Sequence, residues 1–411
     1  MNVIFTVYFC SYRRFELVME RIPGVITYKK ELGLETFVFP VVFFGIFALF
    51  STQMGLENTI NTMMNTAYRL LIDTVLYLTA ICVIMGAVSA MLSEFGFVSL
   101  ANRLLQPLMK PLFGMPGAAS LGVVTTFLSD NPAILALADD NNFRRFFRKY
   151  QFPALTNLGT AFGMGLIVCS YMYSLSPAMG KPLGLAVIIG IVGAVIGSLI
   201  STRLMLNFTK KLYGTTAKMV PDCQTMEIPP INMRPVRAGG IGRRIVGAML
   251  DGGHSGVEMG LSIVPGVLVI CTLVMMLING PSESGAYTGA AYEGIKLLPL
   301  VASKFNFILK PLFGFSSPEA VGIPVTALGA AGASLSLAER LVKASLVGPC
   351  DIAVFTAMCM CWSGYLSTHT SMMDSLGCKE LIGKAIFSHT IGGLCAGIAA
   401  HWIFVLVSTV F

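Results

Sequence analysis

Lys110-Pro-Leu-Phe-Gly114 recurs, letter for letter, as Lys310-Pro-Leu-Phe-Gly314. The match continues without a gap. Gly122 pairs with Gly322, Thr126 with Thr326, Leu128 with Leu328 and Ala133 with Ala333, and Leu135, Leu137 and Ala138 pair with Leu335, Leu337 and Ala338. Two apolar helices share leucines by composition alone, but they do not share a pentapeptide and twelve identities over positions 110–138 in one register. Gly193 and Gly197 recur at the same offset as Gly393 and Gly397. Self-similarity at a fixed period marks a chain built from repeated structural units.

The units belong in a membrane. The 411 residues are 55% hydrophobic and only 12% charged, about half the charge of an ordinary soluble chain. That is too little polar surface to cover a soluble body of this size. A helix needs about 20 apolar residues to cross a bilayer. Seven runs qualify or nearly so: Thr36–Gln53, Arg69–Ser93, Ala154–Leu175, Pro182–Leu206, Val257–Asn279, Asp351–Met372 and Ala385–Phe411. Two further stretches, Leu100–Phe147 and Leu298–Leu346, are too long for one span and too broken by Gly and Pro for two. They suit re-entrant hairpins, whose interrupted backbone must be buried in protein or line a cavity.

The predicted fold is therefore all-α, a polytopic membrane protein with about seven transmembrane helices and two re-entrant hairpins. Each repeat reads as span, hairpin, span, span. Three crossings per unit place the second copy upside down relative to the first, and an inverted repeat is a signature of secondary transporters. With the N-terminus cytoplasmic, the cytoplasmic segments hold three quarters of the 28 basic residues, as the positive-inside rule requires. Four segments follow: 1–68, an N-terminal segment with the first span; 69–207, repeat 1; 208–253, a basic cytoplasmic linker; and 254–411, repeat 2. Met1–Cys10 lacks the basic region of a signal peptide, and Met19, followed by a mixed-charge stretch and the first span, is the expected start.

The net charge of +7 fits loops facing anionic lipid, and no basic patch interleaved with aromatics points to nucleic acid. Most of the ten cysteines lie inside apolar runs. Cys359-Met-Cys361 has no second pair at metal spacing, so no metal site is expected. No HExxH, GxSxG or P-loop pattern occurs, so the chain is expected not to be an enzyme and to need no cofactor beyond a coupling ion.

The halves resemble the nucleoside-recognition, or Gate, domain family of membrane proteins. That family is related to concentrative nucleoside transporters, to the membrane part of bacterial iron(II) uptake GTPases and to spore maturation membrane proteins. The resemblance spans roughly Arg69–Phe411 and rests on Pro-Leu-Phe-Gly followed by a small-residue helix in each half. Gly314-Phe-Ser-Ser-Pro-Glu-Ala320 is similar to the Ser-Pro-Glu-Ala phrase at a hairpin-associated helix of nucleoside transporters. It implies a multi-pass protein of the bacterial inner membrane that moves a nucleoside, a nucleobase or another small polar solute, driven by Na+ or H+. Related transporters form trimers, but residues 1–68 offer no obvious match to their scaffold, so a homo-oligomer is left open. The departures are specific. Where nucleoside transporters carry a Gln-Thr-Glu-Ala-Pro type tip, this chain has Leu128-Ser-Asp-Asn-Pro132, and its second tip, Leu328-Gly-Ala-Ala-Gly-Ala-Ser334, is nearly apolar. The family's base and ribose contacts do not transfer to these positions.

Three polar segments are candidate solute contacts. At the first tip, Ser129, Asp130 and Asn131 either meet a solute or cap the returning helix. Thr156 and Asn157, followed by Gly159, Thr160, Gly163 and Gly165, suit a helix unwound around a ligand or equally a tight helix contact. The counterpart in the second half holds Trp362, Ser363, Ser367, Thr368 and His369; Trp362 and Tyr365 suit stacking on a flat ring, and His369 either couples protons or serves as a hydrogen-bond partner. Glu319, beside the second hairpin, is the candidate ion-coupling carboxylate among Asp73, Glu258, Asp351 and Asp374. Lys110 and Lys310 fit anchoring at the interface. Two functional readings remain: an alternating-access transporter of a small polar solute, and a non-transporting membrane scaffold of the spore maturation type. Polar side chains kept inside apolar helices favour the first.

Overall fold

The computed structural model describes residues 31–131, 133–139, 141–220, 236–262, 264–282 and 284–410. Met19, Pro132, much of the basic linker and the Ser367 side chain lie outside the described residues. The chain is an all-helical polytopic membrane protein, with no strand among the described residues. Among the described residues six helices are long and apolar enough to cross a bilayer. In chain order the elements are α1 (Leu34–Met54), α2 (Leu56–Glu94), α3 (Phe97–Leu108), α4 (Ala119–Leu128), α5 (Ala133–Asp139), α6 (Ala154–Thr160), α7 (Gly165–Ser174), α8 (Gly184–Tyr213) and α9 (Ile241–Ile278). Then follow α10 (Leu297–Lys304), α11 (Asn306–Phe313), α12 (Gly322–Ala327), α13 (Ala331–Lys343), α14 (Pro349–Cys361), α15 (Tyr365–Ser375) and α16 (Ile382–Val410).

The two halves share one order: long helix, short helix ending in Pro-Leu-Phe-Gly, hairpin, broken helix, long helix. The repeated pentapeptide has a local reason. Gly114 and Gly314 adopt φ of +70° and +67° and terminate the preceding helix, the left-handed geometry that glycine takes without strain. The hairpins proper are α4–α5 and α12–α13, shorter than the stretches expected, because α3, α10 and α11 precede them as separate helices. Lys110 and Lys310 are both exposed at these helix ends.

Three spans differ from expectation. The second begins at Leu56 rather than Arg69: its first turns look polar, but Thr59, Thr62 and Thr66 are buried. They face the loop 279–296, where Asn58 donates to the Tyr287 carbonyl (3.2 Å), Asn65 to the Gly289 carbonyl (2.8 Å) and Tyr292 N–H to Thr66 Oγ1 (2.8 Å). The span expected at Val257–Asn279 begins at Ile241, its charged first turns held by Glu94, which accepts from Arg244 (2.7 Å) and Arg237 (2.8 Å). Asp351–Met372 is not one helix but α14 and α15, interrupted at Trp362–Gly364.

Glycine sets the long crossings. α2 packs along α9, and a Cβ at either Gly86 or Gly252 would overlap the other's carbonyl. Gly256 and Gly260, one and two turns further, meet Cys82 and Thr79 in the same way. α8 packs along α16, with Gly197 against the Gly392 carbonyl and Gly193 against the Ala396 carbonyl. The repeat-related Gly393 and Gly397 lie under the Trp362 ring and Met358. Without a strong hydrophobic force between helices in lipid, such small-residue contacts carry association. α6 and α14 are almost wholly buried, so the core lies around the broken helices. α1, by contrast, is exposed over most of its surface and touches the rest mainly through Phe50 and Met54.

Candidate functional site

Two helices break inside the core, and both hairpin tips point at the breaks. The first break separates α6 from α7 at Ala161–Met164, where Met164 takes φ +54°. Glycine makes the room. A Cβ at Gly163 would overlap the Asn131 side-chain carbonyl and lie 3.1 Å from Ser363 Oγ, and one at Gly165 would strike the Phe127 ring. The second break turns at Gly364 (φ +64°), whose N–H donates to the Ala327 carbonyl (3.0 Å). A Cβ there would sit 3.2 Å from the Gly329 carbonyl. A broken helix exposes backbone groups that lipid cannot satisfy; at the second break the hairpins satisfy two of them. Asn131 Nδ2 donates to the Ser363 carbonyl (2.8 Å), so the first tip reaches the break of the other half.

Around the breaks runs a chain of buried hydrogen bonds. Asn157 Nδ2 donates to Ser201 Oγ (2.9 Å) and to the Ala385 carbonyl (3.0 Å). Ser201 Oγ lies 2.9 Å from His389 Nδ1, and His389 Nε2 lies 2.5 Å from the Cys361 carbonyl. A carbonyl only accepts, so Nε2 carries the proton, Nδ1 accepts from the Ser201 hydroxyl, and Ser201 accepts from Asn157. The sequence of donors is thereby fixed across α6, α8, α16 and the end of α14. Rings pack beside it: Trp362 stacks on Tyr365 (centroids 6.2 Å), Tyr365 meets His369 edge-on (5.5 Å), and the His369 and His389 rings are 4.5 Å apart.

Several polar atoms in this region are buried and have no partner among the described residues. They are Asn131 Oδ1, Thr156 Oγ1, Asn157 Oδ1, Ser363 Oγ and both ring nitrogens of His369, which makes only a weak contact with the Tyr365 backbone one turn back. Ser198 and Thr202, flanking Ser201 on α8, are in the same condition. Buried polar groups are nearly always bonded, and each exception calls for an explanation.

The structure thus brings together Asn131, Asn157, Trp362, Ser363 and His369, with Thr156 buried beside Asn157. It places the remaining candidates elsewhere or gives them other work. Ser129 ends α4, and the half-buried Asp130 accepts from the Asn131 N–H (2.7 Å) as a turn would. Thr368 donates back to the Gly364 carbonyl (3.2 Å). Glu319 is half-buried in the turn Pro318–Val321 that leads into the second hairpin, with no ion pair among the described residues. The other carboxylates have protein partners. Asp351 caps α14, accepting from Gly348 N–H and Ser316 N–H (2.8 and 3.0 Å). Asp73, Glu258 and Asp374 pair with Arg69, His254 and Lys379. Sequence reasoning missed Ser201 and His389; Ser388-His389-Thr390, a polar triplet inside the last span, was the available signal.

No protein-family model matches the sequence, and no curated protein matches it. Among solved structures, the chain is similar to CNTnw, a concentrative nucleoside transporter. Against CNTnw in an inward-facing substrate-bound state it is 15% identical, with 80% of this chain and 74% of that chain covered at a TM-score of 0.49. Against a doubly substituted CNTnw in an outward-facing state it is 13% identical, covering 89% and 84% at 0.49. Likeness at that level leaves the chemistry of the site to its own residues.

Proposed function

We propose that the chain is a secondary transporter of a small polar solute, of nucleoside or nucleobase size, coupled to Na+ or H+. The observation that carries this reading is the set of unpartnered, buried polar atoms at two helix breaks. Half-helix ends and unwound backbone at membrane depth are the means by which transporters hold solutes and ions. Oxygens from Asn131, Asn157, Thr156 and Ser363 and the nitrogens of His369 offer both acceptors and donors to a solute, and the Trp362–Tyr365 stack offers a face for a flat ring. A scaffold would have no need of polar atoms held without partners in its core. The repeated element order fits two halves related by inversion, rocking about the site in alternating access.

The test is uptake into proteoliposomes of labelled nucleosides and nucleobases, each under a Na+ gradient and under a pH gradient. Accumulation that collapses with the driving gradient and, in Asn157→Ala, needs about tenfold more solute for the same rate is expected. A correctly folded protein that accumulates nothing across the panel under either gradient would move the assignment to the membrane-scaffold reading.

A further inference from the structure

A cavity of about 300 Å³ reaches in to the first helix break, where Phe162 forms part of its wall. Its walls come from α3 (Ala101, Leu105), α4 (Phe127, Leu128), the first helix break (Phe162) and α8 (Val195). Every lining residue is apolar. Water has no partner in such a space, because a buried water needs two to four polar groups. The mouth lies on a lipid-facing surface: Leu100, Leu104 and Leu108 of α3 and Ile188 and Val192 of α8 are all exposed. What enters must therefore be hydrocarbon.

The rim says which hydrocarbon. Lys110 is exposed in the helical segment Met109–Phe113 that continues α3, between the lining residues Met109 and Leu112. Arg203 of α8 is exposed as well, and its guanidinium docks on that segment, donating to the Leu112 carbonyl (2.7 Å) and the Pro111 carbonyl (2.5 Å). Two cations therefore stand at one edge of an apolar slot. Positive charge next to a hydrocarbon cleft is complementary to one membrane component, a phospholipid with an anionic headgroup. We infer that this cavity is a binding site for an acyl chain of an anionic phospholipid, with the headgroup at Lys110 and Arg203. None of the cluster's polar side chains lines the cavity, and the inference holds whether or not the chain transports a solute.

The experiment uses the full chain in phosphatidylcholine nanodiscs doped with phosphatidylglycerol carrying a diazirine on its acyl chain. After irradiation, labelled positions are mapped by mass spectrometry. α1 is the internal reference, because its apolar surface is exposed to bulk lipid. Label concentrated on residues 97–113 and 123–128, relative to 34–54, and displaced by excess unlabelled phosphatidylglycerol but not by phosphatidylcholine, is expected. Each cation near the membrane surface gives roughly a fivefold preference for anionic lipid, so Lys110→Gln should cut that preference about fivefold. Ala101→Trp should abolish the enrichment by filling the slot. Label spread over all lipid-facing helices in proportion to their exposure overturns the site. Displacement by phosphatidylcholine as effective as by phosphatidylglycerol overturns the headgroup assignment. The wild-type map decides both points even if Ala101→Trp fails to fold.

Discussion

Asn157 and Ser201 are bonded to each other, yet removing each should have opposite consequences. Ser201→Ala deletes the hydroxyl between Asn157 and His389. His389 Nδ1 then keeps no donor in a buried site, which costs about 1–3 kcal/mol, while every unpartnered atom of the cluster remains in place. Asn157→Ala deletes donor bonds to Ser201 and to the Ala385 carbonyl. Hydrogen bonds between membrane helices average about 0.6 kcal/mol and reach about 1.7, so the loss is roughly 1–3 kcal/mol. The same change also removes the buried, unbonded Oδ1, which recovers desolvation free energy of about 1–3 kcal/mol. Asn157→Ala should thus leave the free protein close to its native stability. Under the proposed function, what it loses is the acceptor offered to a solute.

The assay is thermal unfolding of the purified protein with and without a solute identified by uptake. A ligand at 100 times its dissociation constant stabilises by about 2.7 kcal/mol. A lost solute hydrogen bond of about 1.4 kcal/mol weakens binding tenfold. At the same concentration the stabilisation then falls to about 1.4 kcal/mol. The expected pattern is a low baseline with a full ligand shift in Ser201→Ala, and a near-normal baseline with a halved shift in Asn157→Ala. The reverse pattern would refute the assignment of Asn157 as a solute contact and make it a brace between helices.

Other sites give equally direct tests. Gly252→Ala should destabilise by about 1–3 kcal/mol, because its Cβ meets the Gly86 carbonyl. The adjacent Gly253→Ala, whose Cβ would find only a Val83 methyl at 3.7 Å, should stabilise by about 0.5–1 kcal/mol; thermal unfolding of the two single variants decides, and equal effects would sink the crossing geometry. Glu293→Ala should expose the loop 279–296 to limited proteolysis, since its carboxylate accepts from Thr288 N–H, Thr288 Oγ1 and Gly289 N–H; an unchanged cleavage rate would show that the loop is held by its contacts with α2 alone. Asp351→Ala should cost about 1–2 kcal/mol as a lost helix cap without altering solute affinity; a change in affinity at constant stability would return Asp351 to the list of functional carboxylates.

The fold was legible in the sequence wherever a residue type had one physical use. The repeat is read from Lys110–Gly114 and Lys310–Gly314, and its glycines prove to end helices in left-handed geometry in both halves. At Thr156-Asn157 with its glycines the sequence leaves a helix break and a tight helix contact equally open, and the structure has a break at Ala161–Met164. Polarity misled where its partner lay far along the chain. The threonines of α2 and the charged start of α9 looked like loop, because the groups that bury them, the loop 279–296 and Glu94, stand 143 or more positions away. His389 and Ser201 escaped notice for the same reason. Each is a single polar residue in a long apolar helix, and only the structure shows them bonded across 188 positions.

The two hairpins carry the same repeat but divide the work. The first tip keeps a polar side chain, Asn131, that crosses to Ser363. The second is small and apolar, and its value is closeness: with glycine at 329 and alanine at 330, its backbone lies against Gly364 with no side chain between them. The polar first tip retains an unbonded oxygen, Asn131 Oδ1, which the proposed function assigns to the solute. An apolar second tip satisfies the broken helix through backbone alone, by way of the Ala327 carbonyl, and offers nothing further to bond. Duplicated halves that began alike would therefore serve one site asymmetrically, the first hairpin as a recognition element and the second as a close-fitting wall. Gly329→Ser, which adds a hydroxyl and a Cβ at the wall, should weaken packing more than it changes solute affinity. Asn131→Ala should do the reverse, and the two effects are separable in the same thermal-shift measurement.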